Sequence, residues 1–205
     1  PGNQIALIGL ARAKAELFQP AAVRAILDGF RFTPPNERAY RVACADYHRL
    51  VGEWAEAREV YRAMLEKDPD DHEVRFALAN LYERAREDEK AKAEYAKIPP
   101  GSGPARRAKL GVAAVLTLQR RFAEAAETSK CLLAENPADA APLAQLVRTL
   151  ARGDQPDPAI AMARAWLANN PRNELGTTMV LHALGRALLD GHKPQEAARV
   201  FDQLH

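Results

Sequence analysis

Small apolar side chains return along this chain at a fixed interval. Stepping by 34 from Ala57 gives Ala91, Ala125 and Ala159, and Ala197 follows after a step of 38. A second column reads Ala11, Ala45, Ala79, Ala113, Val147 and, past the same insertion, Gly185. One residue earlier stand Leu10, Cys44, Leu78, Val112, Leu146 and Leu184. No strand-like alternation of apolar and polar residues competes with these columns. A small residue at a fixed place in each repeat lets one helix approach its partner closely, because a larger side chain would hold the backbones apart. The pattern therefore predicts an all-α chain of paired helices, about six pairs long.

A fourth column punctuates the pairs. Pro35, Pro69, Gly103 (beside Pro104), Pro137 and Pro171 stand 34 residues apart. Proline lacks an N–H and disfavours helix in the residue before it, so it ends the second helix of each pair. Asp71, Asp139 and Asn173 then stand where N-caps of the following helices belong.

These residues carry a resemblance. A 34-residue unit with small residues at its eighth and twentieth positions and proline at its thirty-second is similar to the tetratricopeptide repeat. The fullest match runs from Arg38 to Asp71, with Gly52, Trp54, Ala57, Tyr61, Met64-Leu65 and Asp68-Pro69 in the family's places. The resemblance covers nearly the whole chain as one array, in repeats near 4–37, 38–71, 72–105, 106–139, 140–173 and 178–205. It implies a right-handed superhelical solenoid. The chain also departs from the family. Arg41, Arg75 and Lys109 replace the usual large residue at the fourth position, and Ile98 to Pro104 reads as a stiff, helix-free link that would alter the pitch. Extra residues fill the turn from Gly191 to Gln195. No polar capping helix follows the last repeat, which predicts a piece of a longer protein or an end covered by a partner, self-association included.

Composition narrows the class. Charged residues are 27% and apolar ones 47%, which is soluble globular material. Residues 1–103 carry 16 basic and 17 acidic groups, and residues 104–205 carry 13 and 10. That balance, with no basic run interleaved with aromatics, argues against nucleic acid. Cys44 and Cys131 are too far apart in the repeat order for a disulfide and read as small core residues. The longest nearly apolar run, Val112 to Leu118, falls far short of the roughly 20 residues a membrane span needs. The chain opens on Pro1 without a signal peptide, so processing from a longer product is expected, and cytoplasm and periplasm fit equally.

The resemblance also says where a partner would lie. The second, fifth, ninth, twelfth and thirteenth positions of each repeat are expected to face a groove built from the first helices. The fifth positions read Ile8, Val42, Phe76, Leu110, Ala144 and His182, and the ninth Arg12, Asp46, Asn80, Ala114, Arg148 and Arg186. Glu73, Glu83, Arg84, Arg107 and Arg152 lie beside them. The expected partner-binding residues are Val42, Asp46, Phe76, Asn80, Glu83, Arg107, Leu110, Arg148, Arg152 and Arg186. Together they form an apolar floor in repeats two to four and a basic wall in repeats four to six. Such a groove suits a helix or extended peptide with apolar anchors and acidic groups. Asn80 can both donate to and accept from a peptide backbone. Repeats of this family that grip chaperone C-termini use lysine and asparagine at fifth and ninth positions. Ile8, Val42, Phe76 and Leu110 replace that clamp, so chaperone tails are disfavoured.

Catalytic chemistry finds no foothold. His48, His72, His182, His192 and His205 show no metal-ligand spacing with Cys, Asp or Glu, and no cofactor is implied. Gly101-Ser102-Gly103 lacks the lysine and the strand–loop–helix setting of a phosphate loop. Asp70-Asp71 follows a proline and caps a helix, Trp54 and Trp166 occupy packing positions, and the charge run from Glu87 to Lys97 reads as a solvated face. The expectation is a non-enzymatic protein–protein scaffold. The alternative is the accessory region of a larger machine, a bacterial polysaccharide exporter of the envelope or a repeat-bearing glycosyltransferase. The ratio of 21 Arg to 8 Lys and the abundant alanine point to a GC-rich bacterial genome.

Overall fold

The computed structural model describes the backbone of residues 2–29, 37–170 and 173–204, with all their side chains except those of residues 2–5, 12 and 16. Pro35, Pro171, His205 and the side chain of Arg12 lie outside the described residues. Twelve α-helices and one 3₁₀ turn account for the regular structure, with no strand among the described residues.

The chain divides into two compact units, residues 1–104 and 105–205. The first holds α1 (Gly2–Glu16), α2 (Pro20–Asp28), α3 (Glu37–Leu50), α4 (Trp54–Lys67), α5 (His72–Arg84) and α6 (Asp88–Ala96). The second holds α7 (Ala105–Leu118), α8 (Phe122–Glu135), α9 (Ala140–Arg152), α10 (Pro156–Asn169), α11 (Glu174–Asp190) and α12 (Pro194–Phe201). Consecutive helices pack as pairs, α1 with α2 through α11 with α12.

The small columns sit where those pairs touch. Ala57, Ala91, Ala125, Ala159 and Ala197 are buried, as are Ala11, Ala45, Ala79, Ala113, Val147 and Gly185. At Gly185 an added Cβ would come within 2.5 Å of the Phe201 ring, so glycine is what lets α12 close onto α11. Leu78, Leu146 and Leu184 are buried as well, whereas Leu10 is exposed on α1, whose main helix contacts among the described residues are with α2 and α3.

Two kinds of turn alternate. Between the helices of a pair, Phe18, Gly52, Arg86, Arg120, Asp154 and His192 take positive φ, between 52° and 84°. Each is followed by an N–H that reaches back five residues, as Glu53 does to the His48 carbonyl (2.8 Å), Arg121 to Leu116 (2.9 Å) and Lys193 to Leu188 (2.8 Å). This is the Schellman ending, which satisfies carbonyls a helix leaves open. Only Gly52 is glycine, so the other five hold a left-handed residue at a steric cost. Between pairs the acidic and amide caps act as expected. Asp71 accepts from the Val74 N–H (3.1 Å), Asp139 from Ala141 (3.0 Å) and Asn173 from Gly176 (2.9 Å).

Four packing expectations need correction. Cys131 is exposed on α8 and Cys44 is only half-buried, where burial pushes its thiol pKa up. Trp54, the first residue of α4, is partly exposed; Trp166 is buried. The run from Glu87 to Lys97 is not a purely solvated face. Glu94 (15% exposed) pairs with Arg75 (13% exposed) at 2.9 Å, joining α6 to α5. Arg75 thus stands in for the usual large residue at its position by supplying an ion pair instead of a packed ring.

Candidate functional site

The expected binding residues fall on the first helices of both units. In the first unit, α3 and α5 position Val42, Asp46, Phe76, Asn80 and Glu83, all half-buried. Here the structure brings three of them together around Tyr95 of α6. The Tyr95 Oη lies 2.7 Å from Asn80 Oδ1 and 2.8 Å from Glu83 Oε2, and the Phe76 and Tyr95 ring centroids are 5.8 Å apart. One phenol proton cannot fully serve two acceptors, so Tyr95 donates to the Glu83 carboxylate while the Asn80 amide is its second partner. Burial, reinforced by that carboxylate, holds the Tyr95 phenol far above its ordinary range. Asn80 and Glu83 therefore take part in closing α6 onto α5. Asp46 lies 3.6 Å from Arg49 on α3.

Two further ion pairs repeat with the chain. Arg38, at the first position of its repeat, reaches the cap Asp71 (2.9 Å from Nη2 to Oδ1), and Arg106 reaches Asp139 (2.8 Å). Each arginine ties the start of one pair to the cap of the next, and Arg38 holds the Asp71 carboxyl below the usual carboxylate range. An Arg and an Asp 33 residues apart, recurring two repeats later, was the available signal.

In the second unit, α7, α9 and α11 lie side by side, α9 touching both neighbours. Arg107, Arg148, Arg152 and Arg186 are exposed, and Leu110 is half-buried between them in chain order. Ala144, at a fifth position, is buried in the core instead of lining a surface. Arg148 and Arg152 share a face of α9 at a spacing of four, and Arg186 holds on α11 the repeat position of Arg148 on α9. Among the described residues neither Arg152 nor Arg186 has a carboxylate within ion-pair range.

A buried polar cluster behind Arg148 escaped the sequence reading. Gln145, 2% exposed, places Nε2 3.0 Å from Thr117 Oγ1 and 3.3 Å from Thr149 Oγ1, and its Oε1 accepts from Arg148 Nη2 at 2.7 Å. The two threonine hydroxyls are 2.8 Å apart. The same column elsewhere reads Gly9, Ala43, Ala77, Gly111 and Ala183, so a lone glutamine among Ala and Gly was the signal.

No helix among the described residues is long and apolar enough to cross a membrane. Residues 49–111 match the family model described as a tetratricopeptide repeat. No curated protein matches the chain's sequence. Among solved structures the chain is similar to a tetratricopeptide repeat protein from Parabacteroides merdae, at 14% identity and TM-score 0.72, over 100% of this chain and 79% of that one. It is also similar to PilW, described as a widely conserved type IV pilus biogenesis factor, at 17% identity and TM-score 0.75, over 100% and 93%. A third likeness is to a chain of the Cut9–Hcn1 hetero-tetramer of the APC/C, at 16% identity and TM-score 0.71, over 95% and 38%. At these identities the likeness speaks for the fold: an all-helical chain of paired helices similar to tetratricopeptide-repeat proteins, with that family's repeat matched over residues 49–111.

Proposed function

We propose that the chain is a non-catalytic scaffold that holds a peptide or helix of a partner protein on the faces of its first helices. The observation that carries this reading is the division of labour within each repeat. The small columns are buried between helices, while Arg148, Arg152 and Arg186 stand exposed on adjacent first helices of the second unit. In the first unit Val42, Asp46 and Phe76 offer the corresponding half-buried face. Repeat folds present extended surfaces of this kind, and the related chain in the Cut9–Hcn1 hetero-tetramer sits in a complex with other chains. Affinity in the micromolar range, about −8 kcal/mol, is expected for a preformed peptide-binding surface.

The test is charge reversal with the natural partner, captured from the source organism on the intact protein. Arg148→Glu combined with Arg186→Glu should weaken partner binding by calorimetry in a salt-dependent way, with helicity unchanged by circular dichroism. Unchanged affinity would remove the first-helix face of the second unit as the docking surface.

A further inference from the structure

The outward face of α11 carries a stripe of exposed side chains, within which His182 meets the Phe201 ring of α12 at 6.1 Å between centroids. Leu175, Met179, His182, Arg186 and Leu189 follow one another at spacings of four, three, four and three, and all five are exposed. Leu175 is 85% exposed, Met179 44% and Leu189 41%. Within α11 this stripe lies opposite the buried Val180, Leu184 and Leu188, which face the core of the unit. Apolar positions at such spacing match a helix lying alongside, because 3.5 residues per turn keeps a seam facing one partner helix. Leu175, Met179 and Leu189 supply the stripe's apolar positions, and apolar side chains left exposed along one helix face mark an interaction site.

Charge chooses the occupant. The seam is interrupted by Arg186 and flanked on α9 by Arg148 and Arg152, all exposed. A second copy of the same face would set these arginines against each other. An acidic helix would meet them with carboxylates, which arginine binds through two parallel N–H bonds. Arg148 is also held in place. Gln145 Oε1 fixes the Arg148 guanidinium at 2.7 Å, and Gln145 is itself fixed by Thr117 and Thr149 in a pocket where the other repeats manage with Ala or Gly. A buried polar network is a liability to a helix interface unless every member is satisfied, and this one is satisfied in part by pointing an arginine outward.

We infer that the α9–α11 face binds an acidic amphipathic helix of a partner protein, with apolar anchors along Leu175, Met179 and Leu189 and carboxylates on Arg148, Arg152 and Arg186, and that Gln145 is the positioning residue for Arg148. This rests on the first-helix face being the docking surface, and it adds the chemistry and conformation of what docks.

The experiment uses the whole chain and three synthetic 21-residue peptides. One is a helix with Leu at heptad a and d positions and Glu beside them. Its twins carry Lys in place of Glu, or Ser in place of Leu. The acidic peptide should bind at least tenfold tighter than either twin, with hydrogen-exchange protection confined to α9 and α11. Arg152→Glu with Arg186→Glu should abolish that preference. Gln145→Ala, which installs the residue other repeats use, should weaken the acidic peptide several-fold and make its salt dependence shallower. A fall in melting temperature with unchanged salt dependence would assign Gln145 to the fold alone. Equal binding of the acidic and basic twins on α9 and α11 would overturn the acidic helix while leaving the docking surface standing. Protection elsewhere in the chain would overturn both.

Discussion

The two units use the same repeat and employ their arginines differently. In the first unit Arg24, Arg38, Arg41, Arg49, Arg58, Arg62, Arg75 and Arg86 each meet a carboxylate, several of them joining one helix to another. In the second, Arg106, Arg121 and Arg164 do so, while Arg152 and Arg186 stand on a face with no carboxylate in range among the described residues. The buried columns of alanine are common to both. Close helix contact therefore fixes the architecture, and charge is the variable laid over it: mainly internal clasp in one unit, outward display in the other. Most exposed pairs contribute little, about 0–1 kcal/mol, so the clasp matters chiefly where burial is deepest, at Arg75 and Glu94.

The strongest blow to this comparison would come through the columns both units share. Ala79→Leu in the first unit and Ala125→Leu in the second should each overpack a helix contact and cost about 1–3 kcal/mol by chemical denaturation. Both alanines are fully buried, so a cost confined to one unit would show that the columns are not equivalent. Next in size is the cap that an arginine reinforces. Asp71→Asn should lose about 1 kcal/mol at neutral pH, since the charge paired with Arg38 goes while the amide oxygen can still cap α5. Because Arg38 depresses the Asp71 carboxyl in the folded state, its contribution is present above the unfolded value of about 4 and fades as pH falls through the lower folded value. A pH titration of stability should therefore show a shallower acid limb for the asparagine variant than for the parent. Smallest are the strained turns. Phe18→Gly and Arg120→Gly relieve positive-φ residues at the same repeat position in the two units and should raise stability by up to about 1 kcal/mol.

The architecture was legible in the sequence because its cause is local and periodic. Ala57 to Ala197 and Ala11 to Gly185 mark helix contacts directly, and Asp71, Asp139 and Asn173 mark helix starts through their own side chains. What escaped depends on side chains meeting across helices. Glu94 looked like a surface residue until Arg75 of α5 came beside it, and Asn80 looked available until Tyr95 closed onto it. The left-handed turns were hidden for another reason. Glycine announces such a turn at Gly52, but Phe18, Arg86, Arg120, Asp154 and His192 hold the same backbone through the Schellman bonds alone. The exposed arginines of α9 and α11 were visible as a pattern, while the glutamine that steers one of them was visible only as an oddity in its column.

The contrast between clasp and display is tested most directly by one pair of neutral substitutions, Arg75→Met and Arg186→Met, each measured for stability and for affinity toward the acidic heptad peptide. The account predicts a crossing. Arg75→Met should lose about 1–3 kcal/mol of stability, because half-buried Glu94 loses its partner on α5 and is left with Lys97 alone among its described ion pairs, and keep its affinity. Arg186→Met should stay within about 0.5 kcal/mol of the parent and bind the peptide about tenfold more weakly. Equal losses of stability in both, or full affinity after Arg186→Met, would contradict it.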